Sequence, residues 1–169
     1  MTTIEHDTDL AARLARLEDI EAIKALKHRY LQAADRKDLD VFRASFVEDA
    51  ICDYGPLGSF EGREALVEMF GSVARKQRAD GNGFAVFDMH TAGTPVIEVD
   101  GPDTASGTWS MRFRQVDTEA RSETLSAMEY ADTYRRVDGE WRIATSRVQV
   151  LWALVRPLSE DAGVFGMID

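Results

Sequence analysis

Thr104-Ala-Ser-Gly-Thr-Trp-Ser-Met-Arg-Phe-Arg-Gln-Val116 is the stretch that decides the fold. Ala105, Gly107, Trp109, Met111 and Phe113 fall on one side, and Thr104, Ser106, Thr108, Ser110, Arg112 and Arg114 on the other. Strand side chains alternate between faces, so the first set belongs inside and the second meets water or a partner. Downstream, Thr124 to Val137 reads as a second long strand. Asp138-Gly139 is then a two-residue hairpin loop of the type that wants positive φ at both positions. The return strand runs from Glu140 to about Val155, and Pro157 with the Gly163/Gly166 tail ends the fold. Upstream, Asp100-Gly101-Pro102-Asp103 is a turn. Before it come a strand from His90 to Val99 and a short one from Phe84 to Phe87.

The N-terminal half has another period. Leu14, Leu17, Ile20, Ile23, Leu26, Tyr30, Ala33 and Ala34 recur at helical spacing and predict a helix from Leu10 to Ala34. Asp19 is placed to cap a break, and Lys37-Asp38 ends the run. A second helix is predicted over Leu39 to Phe46, burying Leu39, Phe42 and Phe46. Ile51 to Tyr54 reads as a short strand stopped by Gly55-Pro56. Glu61-Gly62-Arg63-Glu64 starts a third helix with Leu66, Val67, Phe70 and Val73 inward. Helices first and four or more antiparallel strands after imply an α+β domain, with helices on one side of a bent sheet.

A chain of 169 residues with 44% hydrophobic and 30% charged residues fits one domain over residues 1–169, with its core at about 10–155. A net charge of −10 argues against a nucleic-acid partner, because phosphates demand a basic footprint. Cys52 is the single cysteine, which leaves no intrachain disulfide to form. Nothing near Met1 resembles a leader, and no stretch is apolar enough to span a bilayer, so a cytoplasmic location is expected and no membrane partner. His6, His28 and His90 are too scattered for a zinc or iron site. No glycine-rich loop precedes a helix to cradle a phosphate, and the serines lack a nucleophile elbow. The expected chemistry therefore needs no metal and no cofactor.

Four passages carry a resemblance. They are Asp19 to Tyr30 ending at Asp35; Phe60 to Leu66; His90 with Pro95 to Val99; and Tyr130-x-Asp132-x-Tyr134 through Trp141-x-Ile143. Together they resemble the SnoaL-like branch of the nuclear transport factor 2-like superfamily, over roughly residues 15 to 150 and in the family's order. That branch includes polyketide cyclases, scytalone dehydratase, bile-acid 7α-dehydratase and hexachlorocyclohexane dehydrochlorinase. The resemblance implies a cone-shaped α+β barrel, with three N-terminal helices packed on a strongly curved, mostly antiparallel sheet. It also implies a proton-moving dyad, whose aspartate and histidine match Asp35 and His90, with Tyr30 facing the substrate. Two departures stand out. Gly107-Thr-Trp109 leads to Phe113 where the bile-acid dehydratases carry a carboxylate, and no second pocket histidine is evident.

An unperturbed imidazole titrates near pH ~6.5, so His90 can take and return a proton. Asp35 lies at the margin of the apolar arc. If buried beside His90, it would hold the ring in one tautomer and stabilise the imidazolium. Tyr30 or Tyr54 would hydrogen-bond the developing oxyanion. Trp109, Met111, Phe113, Met128 and Tyr130 would line the cavity and select a flat, apolar ligand. Asp132 is expected to pair with Arg147 or another arginine, and Arg147 could instead bind an anionic substrate group. The function predicted is a cofactor-independent lyase or isomerase, dehydratase- or cyclase-like, on an apolar ring-containing small molecule. The alternatives are a non-catalytic ligand-binding protein, and a structural subunit like the small subunit of a ring-hydroxylating dioxygenase, whose pocket would be blocked. The mild outer face, with Trp152 on the last strand, predicts a homo-oligomer, dimer or trimer.

Overall fold

A computed structural model describes residues 2–164, with side chains from residue 9 onward, so Gly166 and the His6 ring lie outside the described residues. The chain order is α1 (Thr2–Arg36), α2 (Leu39–Ala44), β1 (Phe46–Asp53), a 3₁₀ turn (Gly55–Leu57), β2 (Ser59–Glu61), α3 (Arg63–Ala74), then β3 (Val86–Val99), β4 (Thr104–Asp117), β5 (Ser122–Val137) and β6 (Glu140–Pro157). The strands form one six-stranded sheet in the order β2-β1-β6-β5-β4-β3. Every neighbouring pair is antiparallel except β1 and β6, which run parallel. The helices pack on the inner face of this curled sheet, giving the cone-like α+β fold that the sequence implied.

The alternation in Thr104–Asp117 is realised: Ala105, Trp109 and Met111 are buried, while Thr104, Thr108, Ser110, Arg112 and Arg114 are exposed. Gly107 has a packing reason to lack a side chain. A Cβ there would lie 3.3 Å from both Ile97 and the Tyr134 ring. The β5–β6 loop turns at Asp138 (φ 53°) and Gly139 (φ 81°), the two positive φ values expected of that dipeptide.

Several boundaries differ from the sequence expectations. α1 does not break at Asp19. That carboxylate instead accepts from Arg136 at 2.5 Å and from the Trp141 indole at 3.1 Å, tying the helix to the last hairpin. Leu14 and Leu17, placed on the inner arc by spacing, are exposed because the sheet does not extend beneath that part of α1. The second helix stops at Ala44, and Phe46 opens β1 rather than closing the helix. The Ser45 carbonyl accepts the Ile143 amide at 2.9 Å, which draws the chain into the sheet beside β6. β2 and the 3₁₀ turn were not anticipated. The third helix begins at Arg63 behind Gly62 (φ 84°), two residues after Glu61. The two segments expected around Phe84–Phe87 and His90–Val99 are one strand from Val86, with an irregularity between Gly93 and Val96. Val73, expected inward, does face the space between the helices and the sheet, though 44% of it stays exposed.

Asp132 does not pair with Arg147. Arg147 is exposed on the outer face, opposite Ala131, whereas Asp132 points inward. Its partner is Lys27 of α1, 2.7 Å away, with both side chains fully buried. Asp132 also accepts from Ser146 at 2.7 Å and Tyr134 at 3.0 Å, and the Tyr134 hydroxyl accepts from the Trp109 indole at 2.8 Å. Lys27 lies over the Tyr130 ring, 3.9 Å from its centroid. Burial pulls the Lys27 ammonium below its ordinary pKa, against the opposing pull of Asp132. Removing one member of such a pair strands the other charge, so Asp132→Ala is expected to lose about 3–5 kcal/mol in urea unfolding. The double variant Lys27→Met/Asp132→Asn, which leaves no orphan charge, should lose clearly less. Equal losses would remove the pair as the reason.

Candidate active site

α1 delivers polar groups to the sheet at three depths. Lys27 reaches the centre, Tyr30 reaches a cavity beyond it, and Asp35 arrives at the rim. The helix ends where Lys37 takes a left-handed conformation (φ 62°), with Lys37 N–H donating to Ala34 at 3.2 Å and Asp38 N–H to Ala33 at 2.9 Å. Asp38 then caps α2 through the amides of Asp40 and Val41 at 3.1 and 3.0 Å. This tight reversal places Asp35 and Lys37 against β3.

β3 is an edge strand, so amides on its free side need a partner from elsewhere. The His90 N–H donates to both Asp35 carboxylate oxygens, at 3.2 and 3.1 Å. The His90 ring comes to the same carboxylate, with Nδ1 2.6 Å from Oδ1. A carboxylate only accepts, so the proton of that contact belongs to Nδ1, and in the neutral ring Nε2 then carries the lone pair. Nε2 has no protein partner among the described residues. Both side chains are mostly shielded, at 15% exposure for His90 and 23% for Asp35. Phe113, the cross-strand neighbour of His90, packs on the imidazole at 4.6 Å between centroids.

His90, with Asp35 behind it, borders a cavity of about 290 Å³ between the helices and the inner face of β3, β4 and β5. Phe42, Met69, Phe70, Leu57 and Phe113 give it apolar walls. The Phe42 and Phe70 rings stack at 4.4 Å. Tyr30, Tyr54 and Tyr130 supply hydroxyls at one part of the wall, and Tyr30 and Tyr54 are hydrogen-bonded at 3.1 Å. Burial raises the pKa of all three, with Tyr130 pushed further by the Asp132 charge, so each phenol stays a neutral donor. Cys52, beneath them, is pushed up to about 12 by burial and is an inert thiol. At another part of the wall Asp88 receives the Gln115 amide at 2.9 Å and the ammonium of Lys37.

Of the residues singled out in the sequence, the structure brings together His90, Asp35, Tyr30, Tyr54, Tyr130 and Phe113 around this cavity. It does not bring the others there. Trp109 is buried under α1 and engaged with Tyr134. Met111 and Met128 are cross-strand neighbours on the inner face, between the positions of Tyr130 and Phe113, but neither lines the cavity. Arg147 faces away altogether. The cavity is open, where a purely structural subunit was expected to have it filled. Sequence reasoning missed Lys37, Asp88, Gln115 and Lys27. A signal existed for two of them: Asp88 is two residues before His90 and so shares its face, and Lys27 sits between Ile23, Leu26 and Tyr30 on the buried arc.

The four tyrosines of the chain are all buried, and burial raises each phenol. An unfolded chain releases these protons near pH ~10 while the folded chain keeps them, so stability is untouched below that pH and falls above it. Lys27 works in the opposite sense, but it is one amine against four phenols. A spectrophotometric titration should show no tyrosinate below pH ~10 and then a single rise coincident with alkaline unfolding. Gradual ionisation of two or more phenols in the folded protein would show that they are wet.

The SnoaL-like domain family matches residues 15–147. Among solved structures, a type 2 hexachlorocyclohexane dehydrochlorinase superposes with a TM-score of 0.75 at 19% identity, over 90% of this chain and 97% of that one. A candidate scytalone dehydratase from Novosphingobium aromaticivorans gives 0.72 at 20% identity, over 87% and 97%. A nuclear transport factor 2-like protein with a cystatin-like fold, from the same species, gives 0.68 at 26% identity, over 85% and 89%. With a curled sheet, three covering helices and a family match across most of its length, this chain belongs to the SnoaL-like domain family.

Proposed function

We propose that the protein is a cofactor-independent lyase or isomerase of the dehydratase or cyclase type, acting on an apolar, ring-containing small molecule. The observation that carries this reading is the 2.6 Å contact of His90 Nδ1 with Asp35 at the wall of an apolar cavity. That contact fixes the tautomer and leaves Nε2 as the base. Similarity in fold to a dehydrochlorinase and a candidate dehydratase supports elimination as the reaction class.

In such a reaction Nε2 of His90 removes a proton from the carbon beside a carbonyl, and the C–H electrons form the enolate. A neutral hydroxyl of Tyr30 or Tyr54 donates to the enolate oxygen. Asp35 balances the imidazolium that has formed. The enolate then re-forms the carbonyl and a C=C bond as the C–O bond of the neighbouring carbon breaks. The imidazolium returns its proton to the departing hydroxyl, which leaves as water. His90 ends neutral. An intramolecular aldol cyclisation uses the same groups in the same roles.

A bicyclic β-hydroxy ketone such as 3-hydroxy-1-tetralone tests this directly, because loss of water and tautomerisation give 1-naphthol, which is followed by fluorescence. His90→Ala should lower turnover by ~10²–10⁴-fold with the fold intact. Asp35→Asn, which keeps an acceptor for the His90 amide but no longer selects the tautomer, should fall by a similar order. An unchanged rate in His90→Ala would remove the histidine from the mechanism.

We also infer a homo-oligomeric, cytoplasmic protein built as one domain. The second half of β6 is exposed on both faces, with Leu151, Trp152, Leu154 and Val155 each at least half exposed. That is more apolar surface than a monomer commonly leaves in one place. A reducing compartment suits the free, buried Cys52. Sedimentation equilibrium should give a multiple of the 18.9 kDa chain, and Trp152→Lys should shift it toward monomer. A monomeric wild type at micromolar concentration would rule the assembly out.

A further inference from the structure

The cavity has a second polar group whose orientation is already decided. Asp88 and Gln115 are cross-strand neighbours on the inner face of β3 and β4, and both line the cavity. Asp88 Oδ1 accepts from Gln115 Nε2 at 2.9 Å, while Oδ2 accepts from the Lys37 ammonium. Both carboxylate oxygens are thus occupied, and the Lys37–Asp88 pair is almost wholly shielded from water. Turning the Gln115 amide over would set its oxygen against a carboxylate, two acceptors face to face, so the nitrogen stays on Asp88. The remaining atom, Oε1, has no protein partner among the described residues.

From this geometry we infer that Gln115 Oε1 is a fixed hydrogen-bond acceptor that selects ligands bearing a ring hydroxyl. Lys37 and Asp88 are its positioning residues: neither needs to touch the ligand, and together they hold the amide in one of its two orientations. The ligand class is then narrower than a flat apolar ring. It is a hydroxylated ring compound, with its hydroxyl donating to Gln115 while neutral tyrosine hydroxyls donate to an oxygen elsewhere on the molecule. A ligand offering only acceptors at the Gln115 position would leave Oε1 facing an unpaired lone pair in a mostly apolar cavity, which is unfavourable. The inference shares with the proposed function only the cavity as ligand site.

The test is calorimetric binding to the full chain of three probes of one ring size: 2-naphthol, 2-methoxynaphthalene and naphthalene. The wild type should bind 2-naphthol at least about tenfold more tightly than the other two. Gln115→Leu should reduce that preference to near unity while leaving the 2-methoxynaphthalene affinity within about twofold, which also reports that the cavity is intact. Asp88→Asn keeps the shape but lets the Gln115 amide turn over, so it should lose the preference as well. It decides the matter if Gln115→Leu does not fold. A preference that survives both substitutions, one that vanishes only in His90→Ala, or failure of all three probes to bind overturns the assignment. Because binding is read without turnover, an inactive protein that still discriminates sinks the acid–base reading alone. An active one that does not discriminate sinks this inference alone.

Discussion

One carboxylate holds the site together. Asp35 satisfies the edge amide of His90 and the ring of the same residue, so the main chain and the side chain of one histidine are fixed by a single group. An exposed edge strand is free to twist or to pair with another chain, and covering its amides with a helix end removes that freedom. The economy of the arrangement is that structural closure and tautomer selection are one event. A ring held only by its own rotamer preference would sample several orientations, whereas here the backbone bond to Asp35 sets where the ring must look. Lys37 and Asp88 make a second link between the same helix end and the same strand, two residues away on each side.

Asp35 can arrive there only because α1 is anchored further back. Lys27 enters the centre of the fold and meets Asp132, and the remaining capacity of Asp132 is taken by Ser146 and Tyr134. Every polar member of that network is partnered, which is the condition under which buried charge specifies an arrangement rather than weakening it. The register of α1 against the sheet is therefore set by a polar pair with one geometry, not by apolar contacts that tolerate sliding. Tyr30, one turn beyond Lys27, inherits its depth from that anchor. It packs edge-on against Phe46 at 5.4 Å and turns its hydroxyl to Tyr54.

The features legible in the sequence were those with a local cause. Alternation in Thr104–Val116 showed which side of β4 was inner, the Asp138-Gly139 pair showed the hairpin, and helical spacing showed the buried arc of α1. What was not legible depended on where one layer sits over another. Trp109, Met111, Met128 and Phe113 share an inner face, yet only Phe113 borders the cavity. Tyr130, opposite Trp109, also borders it, so which inner-face side chains reach the cavity depends on how the helices lie over the curled sheet, and alternation does not encode that. Arg147 was the wrong partner for Asp132 because it is one residue past Ser146, the residue opposite Asp132, and alternation puts it on the outer face; Lys27 was overlooked because a lysine amid apolar neighbours reads as solvated. β1 carried no clear alternation, since its register against β6 shifts between Phe46 and Ile51, and a parallel pairing leaves no hairpin signal. Position in the resemblance, rather than periodicity, was what singled out Asp35.

The polar groups on the cavity wall come in compensated sets: Asp35 with His90, Asp88 with Lys37 and Gln115, and tyrosine hydroxyls with one another. A site built this way keeps no unpaired charge waiting for a ligand, so a neutral molecule can enter without stranding one. It also limits the chemistry that can follow. Elimination and aldol closure each move one proton out and one proton back, with no net electron transfer, and the histidine finishes as it began. A single imidazole with its lone pair on Nε2 can serve both directions, provided the charge it carries in between is balanced nearby. Asp35 is already in contact with the other nitrogen and needs no rearrangement to do this. Water in the cavity would compete for the same proton and screen the same pair, so in the proposed reaction the ring of Phe113 against the imidazole and the stacked Phe42 and Phe70 would serve the chemistry by narrowing the room for it. On this reading the aromatic wall is part of the acid–base device, and its contribution is to keep a proton that has left carbon from going anywhere but to the leaving group.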